Sequence, residues 1–164
     1  MENFRIIEDD IVKLPDGRII DTALLEHELS FICHYVMHVV IVLKDETLPI
    51  ALIFPDKKLY KSPDYFKSPE EGCFCPRSLG ELGKCLTGCT ETVNRKLKNE
   101  YTKLDKALII NHELSTDDYT LNADKSINRE NVLLRYKNYV SNLYGGHLPE
   151  PDETFVIDLT KETE

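Results

Sequence analysis

Apolar positions along this chain follow two periodicities, and their order predicts a fold. Residues 11–14 and 18–20 flank Pro15-Asp16-Gly17, a turn in which Gly17 can take positive φ, so a short β-hairpin is expected. Ala23, Leu24, Leu25 and Leu29 then form a helical stripe that Thr22 can cap. Residues 36–43 and 48–54 are nearly all β-branched or apolar and read as buried strands joined across Lys44-Asp45-Glu46-Thr47. Ser78-Leu79-Gly80-Glu81 has the form of a capping box, and Leu79, Leu82, Leu86, Val93 and Leu97 repeat at helical spacing behind it. Residues 106–110 give a third strand. Asn128 stands where a last helix needs its cap, ahead of the stripe Val132, Tyr136, Tyr139, Val140 and Leu143.

This order predicts a small α/β (α+β) domain over residues 1–146: a three-stranded sheet flanked by helices, plus an N-terminal β-hairpin. Residues 56–76, with Pro63, Pro69 and Pro76, read as an irregular insertion, a kind of loop that is usually functional or mobile. The first ten residues are polar and read as loosely held. Residues 147–164 form an acidic tail in which 155–159 have the composition of an edge strand. A length of 164 residues suits one hydrophobic core, and 41% apolar with 30% charged residues suits a soluble domain. No apolar run approaches the length of a membrane span, and the start lacks the blocks of a secretory signal, so a cytoplasmic address is expected. The net charge of −9 argues against nucleic acid or an anionic membrane as partner. Arg95, Lys96, Lys98 and Lys103 make a local basic face, read first as solvated surface and second as a contact for a partner or for phosphates.

Cysteine usage raises a separate chemistry. Cys73, Cys75, Cys85 and Cys89 bring four thiols within 17 residues, enough for a tetrahedral zinc or an iron–sulfur site. Their CxC-x9-CxxxC spacing is not that of a zinc ribbon, knuckle or finger. Cys85 and Cys89 also lie one helical turn apart on the face of Leu82, Leu86 and Val93, so packing is the plainer reading. No Gly-rich phosphate loop is present among the seven glycines, and no nucleophile–base pair stands out.

Four segments, in order, resemble a known family. Asp10-Ile11-Val12-Lys13-Leu14-Pro15-Asp16-Gly17 is similar to a hinge and hairpin commonly written Lys-Asp-x-x-Lys-Leu-x-x-Gly. Residues 22–28 stand where that family has a Pro-x-x-Ile-Glu helix, and residues 36–43 with Leu48-Pro49-Ile50-Ala51-Leu52-Ile53-Phe54-Pro55-Asp56 resemble its strand pair. Residues 106–144 resemble a strand, a Leu-Thr-Pro-Thr-Leu-Lys loop, an arginine and a helix that closes on tyrosine. The family is the AMP-forming acyl-CoA synthetases, in their C-terminal lid domain. Within the adenylate-forming superfamily, the long-chain fatty acyl-CoA ligase branch fits best.

The resemblance implies roles residue by residue. Leu121 and Arg129 match the loop, but Ser126 falls where the family has its adenylation lysine, with Lys125 one position early. That lysine stabilises charge developing between carboxylate and α-phosphate, which a short neutral serine does not do. Asn122-Ala123-Asp124 replaces the stiff Thr-Pro-Thr, so the adenylation loop is degenerate. Asp9 or Asp10 corresponds to the hinge, and Gly17 and Arg129 to a face where the large domain or CoA docks. A complete enzyme of this type is several times longer, its large domain carrying the ATP and acyl sites. The resemblance therefore implies a lid that adenylates nothing alone and meets ATP, AMP and CoA only through an adenylation large domain, in trans or in a longer chain. The rival expectation is a non-catalytic protein-interaction module of the same fold, with residues 56–76 and the cysteine helix as its binding surface, with or without zinc or an iron–sulfur cluster on its cysteines.

Overall fold

The computed structural model describes residues 4–6, 11–32, 35–44, 48–56, 79–98, 101–145 and 154–159. The strands are β1 (Phe4–Ile6), β2 (Ile11–Lys13), β3 (Ile19–Asp21), β4 (Val36–Lys44), β5 (Leu48–Pro55), β6 (Lys106–Ile110) and β7 (Thr154–Asp158). The helices are α1 (Thr22–Ile32), α2 (Leu79–Lys96) and α3 (Arg129–Gly145). The fold is the expected α+β class, with β2 and β3 paired as the hairpin and the rest in one sheet ordered β1-β4-β5-β6-β7.

Alternation within the apolar runs explains the layers. Val39 and Ile41 of β4, Ala51 and Ile53 of β5, and Ala107 and Ile109 of β6 face one side, against Leu25 and Leu29 of α1 and Leu82, Leu86 and Val93 of α2. Their neighbours Val40, Val42, Ile50, Leu52, Leu108 and Ile110 face the other, against Val132, Tyr136 and Val140 of α3. Both faces are covered, so the strands read as unbroken apolar runs. β5 and β6 are parallel, and the return between them requires a crossover, in which α2 lies.

The sheet has five strands where the apolar pattern marks three. β7 lies against β6, with Lys106 Nζ 3.0 Å from Asp158 Oδ2 across the pair. β1 pairs antiparallel with β4 from Phe4↔Lys44 to Ile6↔Val42, in a segment whose polarity suggests loose chain. Three residues on an edge need no apolar run, because the neighbouring strand supplies their hydrogen bonds. The helix cap also differs from expectation. Leu24 N–H donates to Asp21 Oδ1 at 3.0 Å, so Asp21 caps α1 and Thr22 is the first helical residue, buried. Asn128 does cap α3, accepting Asn131 N–H at 3.1 Å. The hairpin is tied to the body where Thr102 N–H donates to Ile19 O at 2.7 Å, and Leu14 and Ile20 pack with Leu43. Among the described residues no helix is long and apolar enough to cross a membrane. The insertion expected at 56–76 falls outside the described residues after Asp56.

Candidate functional site

Beyond β6 the chain runs through residues 111–128 before α3; Leu114, Leu121 and Ile127 pack against the α3 side of the core, and polar bonds close the turns between them. Thr120 is fully buried; its hydroxyl accepts Ser115 N–H at 2.9 Å and donates to Asp118. Asp118 Oδ1 also accepts Thr120 N–H at 3.0 Å. Burial works to raise the Asp118 pKa, but the Thr120 bonds and the nearby Arg135 charge outweigh it and hold the carboxyl below its ordinary value. Arg135 Nε donates to the Tyr136 hydroxyl at 3.3 Å, and His112 Nδ1 lies 3.2 Å from the same oxygen. Tyr136 thereby links loop and helix while its ring packs beside Phe54, with centroids 5.4 Å apart.

The matched residues sit in a miniature hairpin. Leu121 bridges Ile127, Lys125 N–H donates to Asn122 O at 2.8 Å, and Asn122 N–H to Ser126 O at 2.8 Å. Lys125 holds φ at 70°, a left-handed conformation that costs a residue with Cβ roughly 1–2 kcal/mol. Ser126 is turned back into the turn: its hydroxyl donates to Asp124 Oδ1 at 2.6 Å and accepts from Asn122 Nδ2 at 3.0 Å. The Ser126 hydroxyl and amide together hold Asp124 below the ordinary carboxylate value. Lys125 is exposed, and the Ser126 side chain is engaged in bonds within the turn.

Arg129 opens α3 and meets a residue that the sequence pattern does not mark. Both its terminal nitrogens donate to Glu26 of α1, Nη2 to Oε1 at 2.7 Å and Nη1 to Oε2. Glu26 Oε2 further accepts Ile41 N–H at 3.0 Å, the amide just past the last described β1 pair. This fork of two parallel bonds joins helices on opposite faces of the sheet around its β1 edge. The available signal was an acidic residue beside core Leu25 on the α1 stripe, which charge alone does not distinguish from a solvated one. On the hairpin, Gly17 holds φ at 92°, and Asp16 closes the turn by accepting Arg18 N–H at 3.0 Å and Arg18 Nε–H at 2.7 Å. Gly17 and Arg129 belong to different elements, and Arg129 is engaged inward.

No family model matches the sequence, and no curated protein matches it. A solved structure does: the A-PCP didomain of carboxylic acid reductase from Segniliparus rugosus, in complex with AMP. It covers 85% of this chain with a TM-score of 0.58 at 14% sequence identity. The likeness establishes the fold. This chain spans 18% of that chain's length, so it corresponds to a small part of the larger protein.

Asp9 and Asp10, expected at the hinge, lie outside the described residues, as do Cys73 and Cys75. Cys85 and Cys89 are half-buried on α2, and Cys89 packs against the core beneath the α1–α2 face. Among the described residues no group of three or more His, Cys, Asp or Glu could hold a metal.

Proposed function

We propose that this chain is a C-terminal lid domain of an AMP-forming acyl-CoA synthetase, of the long-chain type, that works against a large adenylation domain. One observation carries this reading: the residues matched to the lid's catalytic loop form a discrete hairpin at the entrance to α3, on a fold shared with an adenylate-forming enzyme. ATP, AMP and CoA belong to the large domain, and this chain contributes the closing surface around Gly17 and residues 121–129. With Ser126 bonded to Asp124 and Asn122 where a lysine is expected, its part in adenylation is reduced to docking.

The test supplies the chain in trans to a large adenylation domain freed of its own lid, with trapping of acyl-adenylate as hydroxamate. Wild type should associate yet add little to adenylation. Ser126→Lys should raise it roughly 10²-fold, the scale of one preorganised charge at an oxyanion. Absence of both association and any gain from Ser126→Lys would overturn the reading.

A further inference from the structure

A second site lies away from the 121–129 loop, on the α1–α2 face of the sheet. A cavity of about 240 Å3 opens between α1 and the end of α2. It is lined by the apolar residues Leu24, Val93 and Leu97, by Tyr101, and by the charged Lys96, Lys98 and Glu28. Volume places it just under the roughly 300–1,000 Å3 of ordinary ligand pockets, so it suits a small molecule.

Hydrogen bonds hold the backbone behind part of this cavity. Asn94 is buried and clamps the passing chain with two bonds, Nδ2 to Leu104 O at 3.1 Å and Leu104 N–H to Oδ1 at 2.9 Å. Tyr101 N–H donates to Lys98 O at 2.9 Å, and Tyr101 bridges Ile19 of the hairpin. Preorganised walls spare a ligand the ordering cost that weakens binding to loose loops. The cations are available. Arg95 donates to Thr92 Oγ1, whereas Lys96 and Lys98 have no hydrogen-bond or ion-pair partner among the described residues. On a chain of net charge −9, two ammonium groups beside an apolar wall, opposed among the described residues by one lining carboxylate, select for negative charge.

The geometry points to a binding site for a small amphiphilic anion, its apolar body against Leu24, Val93, Leu97 and Tyr101 and its carboxylate or phosphate on Lys96 and Lys98. This goes beyond the lid reading, since it uses neither the 121–129 loop nor Arg129 and stands without a large domain.

The full chain, labelled with 15N, is titrated with octanoate and with acetate while backbone amides are followed by NMR. Saturable shifts are expected at residues 24–28, 93–98 and 101, with octanoate binding at least about tenfold tighter than acetate through its buried chain. Lys96→Gln with Lys98→Gln should weaken octanoate about five- to tenfold, and Glu28→Gln should tighten it by removing like charge. All three side chains are exposed, so resonances elsewhere in the spectrum should stay in place. Benzoate against phenyl phosphate then sorts the head group, the tighter of the two naming it. Equal responses to acetate and octanoate, or octanoate binding untouched by the double substitution, would overturn the site and leave ordinary surface charge or nonspecific adsorption.

Discussion

Where α2 crosses β7, the Gly83 backbone lies so near the Phe155 ring that an added Cβ would stand 2.3 Å from it. Where β6 leads to α3, the chain is instead held by Thr120, Asp118, Asp124 and Asn128, each through hydrogen bonds at ordinary distances. One region is fixed by shape and the other by donors and acceptors. A shape-held contact rejects added atoms and is indifferent to protonation. A region held by hydrogen bonds has room for atoms but depends on single groups and on their charge.

The largest expected effect falls on the shape-held side. Gly83→Ala should destabilise the domain by about 2–3 kcal/mol through overpacking against Phe155. The sign is diagnostic, because alanine for glycine inside a helix otherwise stabilises by about 1 kcal/mol. Gly88, on the same helix with nothing within 4 Å of its would-be Cβ, supplies that control. Urea unfolding of both variants checks the pair: opposite signs are expected, and matching signs would remove the steric account.

Glu26 comes next and belongs to the other kind of order. Its carboxylate serves Arg129 and the Ile41 amide, with side chains 16% and 20% exposed for Glu26 and Arg129. Glu26→Gln should cost about 2 kcal/mol, below the 3–5 of a fully buried pair broken on one side. A double-mutant cycle with Arg129→Gln should return most of that as coupling. Additive costs would mean that the two side chains act independently.

This contrast also explains what the sequence disclosed. The sheet was legible because Val39 and Ile41 differ from Val40 and Val42 only in facing, so one apolar run marks a strand covered twice. The hairpin was legible from Gly17, whose φ of 92° needs a residue without Cβ. β1 was not, since three edge residues take their order from β4 rather than from their own composition. The loop was legible only as a likeness at Leu121 and Arg129. Its form rests on Asp124, Asn122 and Ser126 bonding to one another, and such residues read equally well as solvated turn. Glu26 was missed for the same reason, because its partner is 103 positions away.

Two of the turns that hold a residue at positive φ sharpen the contrast further. Gly17 carries φ of 92° without strain, while Lys125 carries 70° and is kept there by the bonds around it. Lys125→Gly should therefore stabilise by a few tenths to about 1 kcal/mol, relief of left-handed strain exceeding the added chain entropy. Gly17→Ala should destabilise by about 1 kcal/mol. Thermal unfolding of the two variants reads both signs, and a loss of stability in Lys125→Gly would show that its side chain, not its backbone, matters to the loop.

Acid gives the smallest effect and separates the regions without any steric change. Asp118 has a folded pKa held below the ordinary 3.8, because the Thr120 bonds and Arg135 favour its charged form over the opposing burial. The folded protein thus binds this proton less readily than the unfolded chain. The contribution to stability is complete above 3.8 and is lost as pH falls through the depressed folded value. Solvent screening keeps it to a few tenths of a kcal/mol, roughly the worth of an exposed charge pair. Asp118→Asn removes the titration, so the stability gap between wild type and variant should be constant near neutral pH and should close in acid. A gap that stays open at low pH would assign the Asp118 contribution to the geometry of the loop instead of to its charge. The Gly83 variant should show a gap that does not move with pH at all, since the ring and backbone that collide there carry no titratable group.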